Sequence, residues 1–294
     1  MSGALTLRLG PEGPRLLRGP DLPVAALMIG RSPQAAADLL PRLFNLCPMA
    51  QATAVRLALD LPLPDPAELA AEIAREHRQK LTLLWPRLLD LPAADPGPLP
   101  APADLTGWVA RQPLFSALAR LFPPGTAVAG LPVATPETMF APVPCDNSPA
   151  ARRQDHPTLA AAARLWGRGP LWRALGRLAD LAPPPPPVRL ACGAAVVPAA
   201  RGSYAVRARI EGGRVTAFAR MTPTDHLIAP GGILERSVAT PARRQRPSGA
   251  SAARAPRPLR ARHRRGGHPC MRCRSAKGSG ASSGIRRAAT ALRR

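Results

Sequence analysis

Apolar positions follow two regimes along the chain. Up to about residue 182 they recur at helical spacing between proline-rich breaks, and beyond it they alternate. Residues 5–9, Leu-Thr-Leu-Arg-Leu, alternate and run into Gly/Pro turns at residues 10–14, which reads as a strand and a turn. Residues 35–59 are rich in Ala and Leu and read as a helix opened by Pro33 and broken by Pro41 and Pro48. Residues 67–91 carry the clearest helical pattern. Asp65 can cap it, Glu68 and Glu72 sit in its early turns, Leu69, Ile73, Leu81, Leu84 and Leu88 recur near helical spacing, and Pro86 should kink its end. Further helices are predicted over residues 103–122 and 156–181, the second burying Trp166 and Trp172, with a proline-rich loop over residues 123–150 between them.

Five consecutive prolines, Pro183 to Pro187, form a stiff boundary. Residues 188–197 alternate weakly behind it. Residues 203–210 and 214–220 alternate clearly about Glu211-Gly212-Gly213, the pattern of a β-hairpin. The fold class is therefore α+β: mainly helical, with a small antiparallel sheet near residues 188–222 whose hairpin packs on the helices near Cys47. No further helix is predicted after Gly232-Ile233-Leu234-Glu235-Arg236.

Composition changes this picture mainly at the C-terminal end. Residues 241–294 hold 16 of the 41 Lys and Arg and no Asp or Glu, so the preceding 240 residues carry 25 basic against 18 acidic groups. The net charge of +23 thus belongs largely to the tail. Its only large apolar residues are Leu259, Met271, Ile285 and Leu292, too few to bury and order such a segment. The expectation is a large domain over residues 1–240, helical to about residue 182, and a disordered basic tail over 241–294. A frame slip in a GC-rich gene would leave the same composition. The 39 prolines predict short helices and many loops. No apolar run reaches the roughly 18 residues a membrane helix needs, and the N-terminus lacks the basic-then-apolar pattern of a signal peptide. Five cysteines with one close pair do not make a disulfide framework, which points to a reducing, cytoplasmic setting.

The candidate chemistry starts at Cys47, between Pro41 and Pro48, where an irregular joint is expected. A buried cysteine acting as a small hydrophobe fits the same spacing. Glu76 and His77 are metal-ligand types, but adjacent helix positions do not converge on one ion, so they read as part of a solvated charged face. Cys145, in the loop Cys145-Asp146-Asn147, could be a surface nucleophile but has no base near it in sequence.

The stretch Arg42-Leu43-Phe44-Asn45-Leu46-Cys47-Pro48-Met49-Ala50-Gln51, led in by Gly30-Arg31-Ser32-Pro33, resembles the N-terminal metal-binding motif of nickel-iron hydrogenase large subunits, Arg-x-Cys-Gly-x-Cys-x-x-x-His. Arg42 and Cys47 match. Phe44 replaces the first cysteine, Asn45 the glycine and Gln51 the histidine. Ala200-Arg201-Gly202 before the hairpin and Thr222-Pro223-Thr224 after it resemble the same subunits' Pro-Arg-Gly, hairpin, Pro-Thr arrangement. The combination resembles the HupK-type hydrogenase maturation proteins, degenerate look-alikes of the large subunit. The resemblance spans roughly residues 20–240, and it implies a large-subunit-like fold and a non-enzymatic scaffold that helps assemble or transfer an iron-cyanide-carbonyl unit. It implies Cys47 as the iron thiolate and Arg201 as hydrogen-bond donor to the cyanides. It implies no nickel, since Phe44 removes a nickel ligand. The implied partners are a maturation chaperone, iron-ligand assembly proteins and the large-subunit precursor.

In the tail, His268-Pro269-Cys270-Met271-Arg272-Cys273 resembles the large subunits' C-terminal Asp-Pro-Cys-x-x-Cys-x-x-His, with His268 for Asp and Ala276 for the His. Cys270 and Cys273 could chelate a metal, with His263 and His268 adding nitrogens. The tail also supports a second reading, a nucleic-acid-binding protein. Sixteen uncompensated cations would bind phosphate non-specifically.

Overall fold

The computed structural model describes residues 5–10, 13–19, 22–141 and 143–239. The expectations for the tail, and for Cys270 and Cys273 within it, lie outside the described residues. So does the nucleic-acid reading that rests on the tail.

The chain opens with an antiparallel pair, β1 (Leu5–Gly10) and β2 (Gly13–Arg18), where a single strand and a turn were predicted. Helices α1 (Val24–Met28) and α2 (Pro33–Leu39) follow, then a 3-10 turn (Leu40–Arg42) at Pro41, and α3 (Pro48–Ala58). The predicted 67–91 helix is α4 (Pro66–Gln79), a π turn (Lys80–Leu84) and α5 (Trp85–Leu88). Pro86 has no N–H to give the preceding turn, and the wide turn takes up the mismatch just ahead of it.

Two predicted helices are each split. Residues 103–122 become α6 (Leu105–Arg111) and α7 (Pro113–Leu121), because Gln112 precedes a proline and is extended. After α8 (Pro149–Arg152), residues 156–181 become α9 (Pro157–Trp166) and α10 (Pro170–Ala179), parted by Gly167 at φ 78°. Trp172 is buried as expected, with its indole N–H donating to the Leu159 carbonyl at 3.1 Å, whereas Trp166 is only partly covered. Gly176 sets the closeness of α10 to α8. A Cβ there would lie 2.2 Å from Ala150 Cβ.

The sheet runs β3 (Val188–Leu190), β4 (Ala194–Ala199), β5 (Gly202–Glu211), β6 (Arg214–Met221), all antiparallel neighbours in that order. The β5–β6 hairpin matches its prediction. Strand β4 is buried on both faces, which is why its alternation was weak. Two short helices close the described chain, α11 (Pro223–Leu227) and α12 (Ile233–Ala239). The latter covers Ile233 to Arg236, for which no element was predicted, and ends at Ala239, just past the point after which no helix was expected.

The largest core cluster forms where α3 lies on the sheet. Ala50, Ala54 and Ala58 recur every four residues on α3 and face Ala195, Val197 and Ala199 of β4 and Tyr204, Val206 and Ala208 of β5. Small side chains on both surfaces let the helix sit close to the strands. The packing brings the N-terminal end of α3, with Cys47 before it, to the sheet end that carries Arg201, as the hairpin's predicted position required. Among the described residues no helix is long and apolar enough to cross a membrane.

Candidate functional site

Cys47 occupies an irregular joint, as predicted. It adopts left-handed backbone geometry (φ 52°, ψ 46°) immediately before Pro48, the first residue of α3. Proline disfavours right-handed helical geometry in the residue before it. Left-handed geometry in a residue with a Cβ costs roughly 1–2 kcal/mol. The joint therefore stores strain at its one thiol, which is half-buried.

Cys47 is the N-cap of α3 but makes no side-chain cap bond. The neighbouring helix does this instead. Glu72 of α4 accepts from the backbone N–H of Met49 at 2.9 Å and of Ala50 at 3.3 Å. One turn further along α4, Glu76 accepts from the Cys47 thiol, Sγ to Oε2 3.7 Å. The other Glu76 oxygen accepts from Arg201 Nε at 3.2 Å and pairs with Lys80. Thus one carboxylate holds the thiol, a buried lysine and the arginine. The two residues that the hydrogenase resemblance singles out, Cys47 and Arg201, meet on Glu76.

This corrects the reading of Glu76 and His77 as a solvated face. The side chain of Glu76 is 17% exposed and His77 is fully buried. They do diverge, as adjacent helical positions must. Glu76 faces Cys47, while His77 faces Asp180 at 2.8 Å and Arg177 at 3.0 Å. Their partners come from residues remote in sequence, so periodicity within α4 could not reveal the burial.

Burial pushes the Cys47 thiol up to about 12, and the carboxylates of Glu76 and Glu72 add to the effect. Burial also pushes Glu76 upward, but Lys80, Arg201 and Arg177 together hold it down at about 2. Lys80 is brought down to about 8, first by burial and then by Arg177. The thiol is therefore kept protonated beside an ionised carboxylate and three cations.

The backbone that carries Arg201 is pinned from three sides. Arg152 donates to the carbonyls of Gly202 at 2.6 Å and Ala199 at 3.2 Å. Arg177 donates to the carbonyl of Ala200 at 2.8 Å. The Asn147 side chain accepts from the Ser203 N–H at 2.6 Å and donates to its carbonyl at 2.9 Å. Asp180 anchors the arrangement by accepting from Arg152, Arg153 and His77. Gly202 has to be glycine, since its φ is 146° and a Cβ would lie 2.0 Å from the Asn147 carbonyl oxygen. Beyond its bond to Glu76, Arg201 has no hydrogen-bond partner among the described residues. Its two terminal nitrogens are left available.

Phe44, at the lost cysteine position, packs against the core cluster with the Arg220 guanidinium 4.4 Å from its ring centroid. Gln51, at the lost histidine position, donates to the Leu46 carbonyl at 2.6 Å, and its buried Oε1 has no partner. The other two thiols among the described residues stand apart from the site. Cys145 is buried, not on the surface as expected, and burial with Asp146 pushes it up to about 11. Cys192 is exposed in the turn between β3 and β4.

Among the described residues no group of three or more His, Cys, Asp or Glu is placed to hold a metal ion. A thiol and one carboxylate cannot chelate a bare divalent cation, which takes four or more donors.

No family model matches the chain. The hydrogenase expression/formation protein HupK of Rhodobacter capsulatus is 46% identical over 271 residues, an alignment that covers 82% of this chain and 90% of that protein. The hydrogenase expression/formation protein HoxV of Cupriavidus necator is 38% identical over 94 residues, covering 29% of this chain and 24% of that protein. Among solved structures, the Ni-Fe-Se hydrogenase of Desulfovibrio vulgaris Hildenborough superposes with a TM-score of 0.49 at 11% identity, covering 78% of this chain and 88% of that one. On the identity to the Rhodobacter protein and its coverage of both chains, this chain belongs to the HupK family of hydrogenase expression/formation proteins.

Proposed function

We propose that this chain is an accessory scaffold of nickel-iron hydrogenase maturation. Its cargo is an iron carrying cyanide and carbonyl ligands, which it receives from iron-ligand assembly proteins and a small chaperone and passes to the large-subunit precursor in the cytoplasm. The role in maturation follows from the family. The cargo is inferred from one observation: the Cys47 thiol and the Arg201 guanidinium share the Glu76 carboxylate.

In this reading Cys47 supplies the iron thiolate. Binding replaces the S–H bond by S–Fe, and the proton leaves to water. The environment that keeps the thiol protonated favours it as a ligand only when a cation arrives. Arg201, aimed by Glu76, offers its free terminal nitrogens to cyanide nitrogens, which are anionic acceptors. Lys80 and Arg177 add positive charge around an anionic unit. Phe44 puts a phenyl ring where nickel would need a thiolate, so the scaffold holds iron without building a bimetallic centre. Hydrogen turnover is not part of this function.

The test is a chromosomal Cys47→Ser exchange in a hydrogenase-producing cell. Hydrogenase activity should fall at least tenfold, while the variant accumulates to the wild-type level. Normal activity in this variant would return Cys47 to the role of a buried hydrophobe.

A further inference from the structure

Tyr204 is the chain's sole tyrosine. It lies on β5, on the strand face it shares with Val206 and Ala208 beneath α3. It is 4% exposed, and its hydroxyl has no hydrogen-bond partner among the described residues. Buried polar groups in folded proteins are nearly always paired, so an unpaired one needs a reason. Phenylalanine would fill the same volume without the desolvation cost of the hydroxyl.

The surroundings supply a reason. The ring packs in the core cluster against which Cys47, Phe44 and Met49 also pack. Its hydroxyl lies within electrostatic reach of Arg220, of Asp225 and of Cys47. The Arg220 guanidinium, over the Phe44 ring, can only donate to the hydroxyl oxygen and so leaves the O–H proton unspent. One O–H donor therefore lies in the same cluster as the thiol proposed to hold the cargo. Arg201, three residues earlier in the chain, brings the other unspent donors.

We infer that Tyr204 is a further recognition residue of this site, donating its hydroxyl proton to an anionic ligand of the iron held at Cys47. The inference rests on the iron-cargo reading. A phenol donates well to an anionic cyanide nitrogen and poorly to a carbonyl ligand's oxygen. Tyr204 thereby selects cyanide-bearing iron over iron carrying carbonyl alone.

The experiment compares wild type with Tyr204→Phe, each full-length chain purified without oxygen from hydrogenase-producing cells. Three quantities are read: iron retained per chain after desalting, the infrared cyanide bands, and the thermal midpoint of the cargo-free chain. The inference expects an unchanged or higher midpoint, because an unpaired buried hydroxyl has been removed, together with about tenfold less retained iron. A lower midpoint in the cargo-free variant would show that the hydroxyl has a structural partner, and would overturn the inference. Equal iron and equal cyanide bands in the two proteins would remove Tyr204 from the site while leaving the iron-cargo reading intact. Wild type free of iron would overturn both. Fluorotyrosine incorporation adds a direct readout, since a sole tyrosine gives a sole fluorine resonance. That resonance should shift on cargo loading, and an unmoved one counts against the inference.

Discussion

Glu76 and His77 are adjacent in sequence and serve different faces of α4. The same divergence argued against a shared metal and proved correct in geometry. The expectation of solvent exposure failed, because Cys47, Arg177, Asp180 and Arg201 all lie on other elements. His77 carries a consequence for pH. Arg177 donates to Nδ1, so that nitrogen must accept, and Nε2 donates to Asp180. The neutral imidazole thus has both nitrogens engaged, and a second proton would face a guanidinium. Burial first, then the Arg177 charge, brings His77 down to about 4 against the Asp180 hydrogen bond. The unfolded chain takes up this proton near pH 6.5, so between 6.5 and 4 it binds more protons than the folded chain. The stability contributed by neutral His77 is complete above pH 6.5 and is lost as the pH falls toward 4. That loss should reach roughly 3 kcal/mol in urea unfolding. His226 is also lowered by burial and acts in the same direction, so the variant His77→Gln is needed to isolate the effect. It should be less stable at neutral pH and should show a shallower decline in this window. An unchanged decline would mean that His77 is not held neutral.

At the scale of elements, prolines were legible as breaks and as the opening of α2, while the helix starts at Pro113, Pro149, Pro170 and Pro223 were not read from the sequence. Helices α2, α3, α4, α7, α8, α9, α10 and α11 each begin with one, where the missing N–H costs nothing. The β5–β6 hairpin was equally legible, since its sequence alternates on both sides of a Gly-Gly turn and its turn end is exposed. Strand β4 and the splits at Gln112 and Gly167 were not, because burial on both faces and local backbone geometry leave little periodic trace. The α3 N-terminus was half legible: Pro48 marked its start, but its cap, Glu72, comes from another helix. Glu72→Ala should uncover the Met49 and Ala50 N–H groups and lower the unfolding free energy by about 2–3 kcal/mol. Glu72→Gln, which keeps one acceptor oxygen, should lose less. Urea unfolding of the two variants distinguishes this from a helix end that water satisfies, for which both would stay within about 0.5 kcal/mol of wild type.

Across the whole molecule, the family resemblance located Cys47 and Arg201, and the fold explains how they come together. Helix α3 on the sheet sets the first position. Asp180, Arg152, Arg177 and Asn147 fix the turn that carries the second. None of these four was singled out from sequence, because Arg152, Arg177 and Asn147 act on backbone carbonyls or N–H groups that no side-chain pattern records, and Asp180 acts on side chains remote from it in sequence. Glu76 then joins the two sites. The central claim is that this assembly holds iron bearing its own diatomic ligands. The most direct measurement is an infrared spectrum, with iron analysis, of the full-length chain purified without oxygen from hydrogenase-producing cells. Cyanide and carbonyl stretching bands accompanied by bound iron, both lost in Cys47→Ser, are the predicted result. A wild-type chain with neither bands nor iron, or bands that persist unchanged in Cys47→Ser, would contradict it.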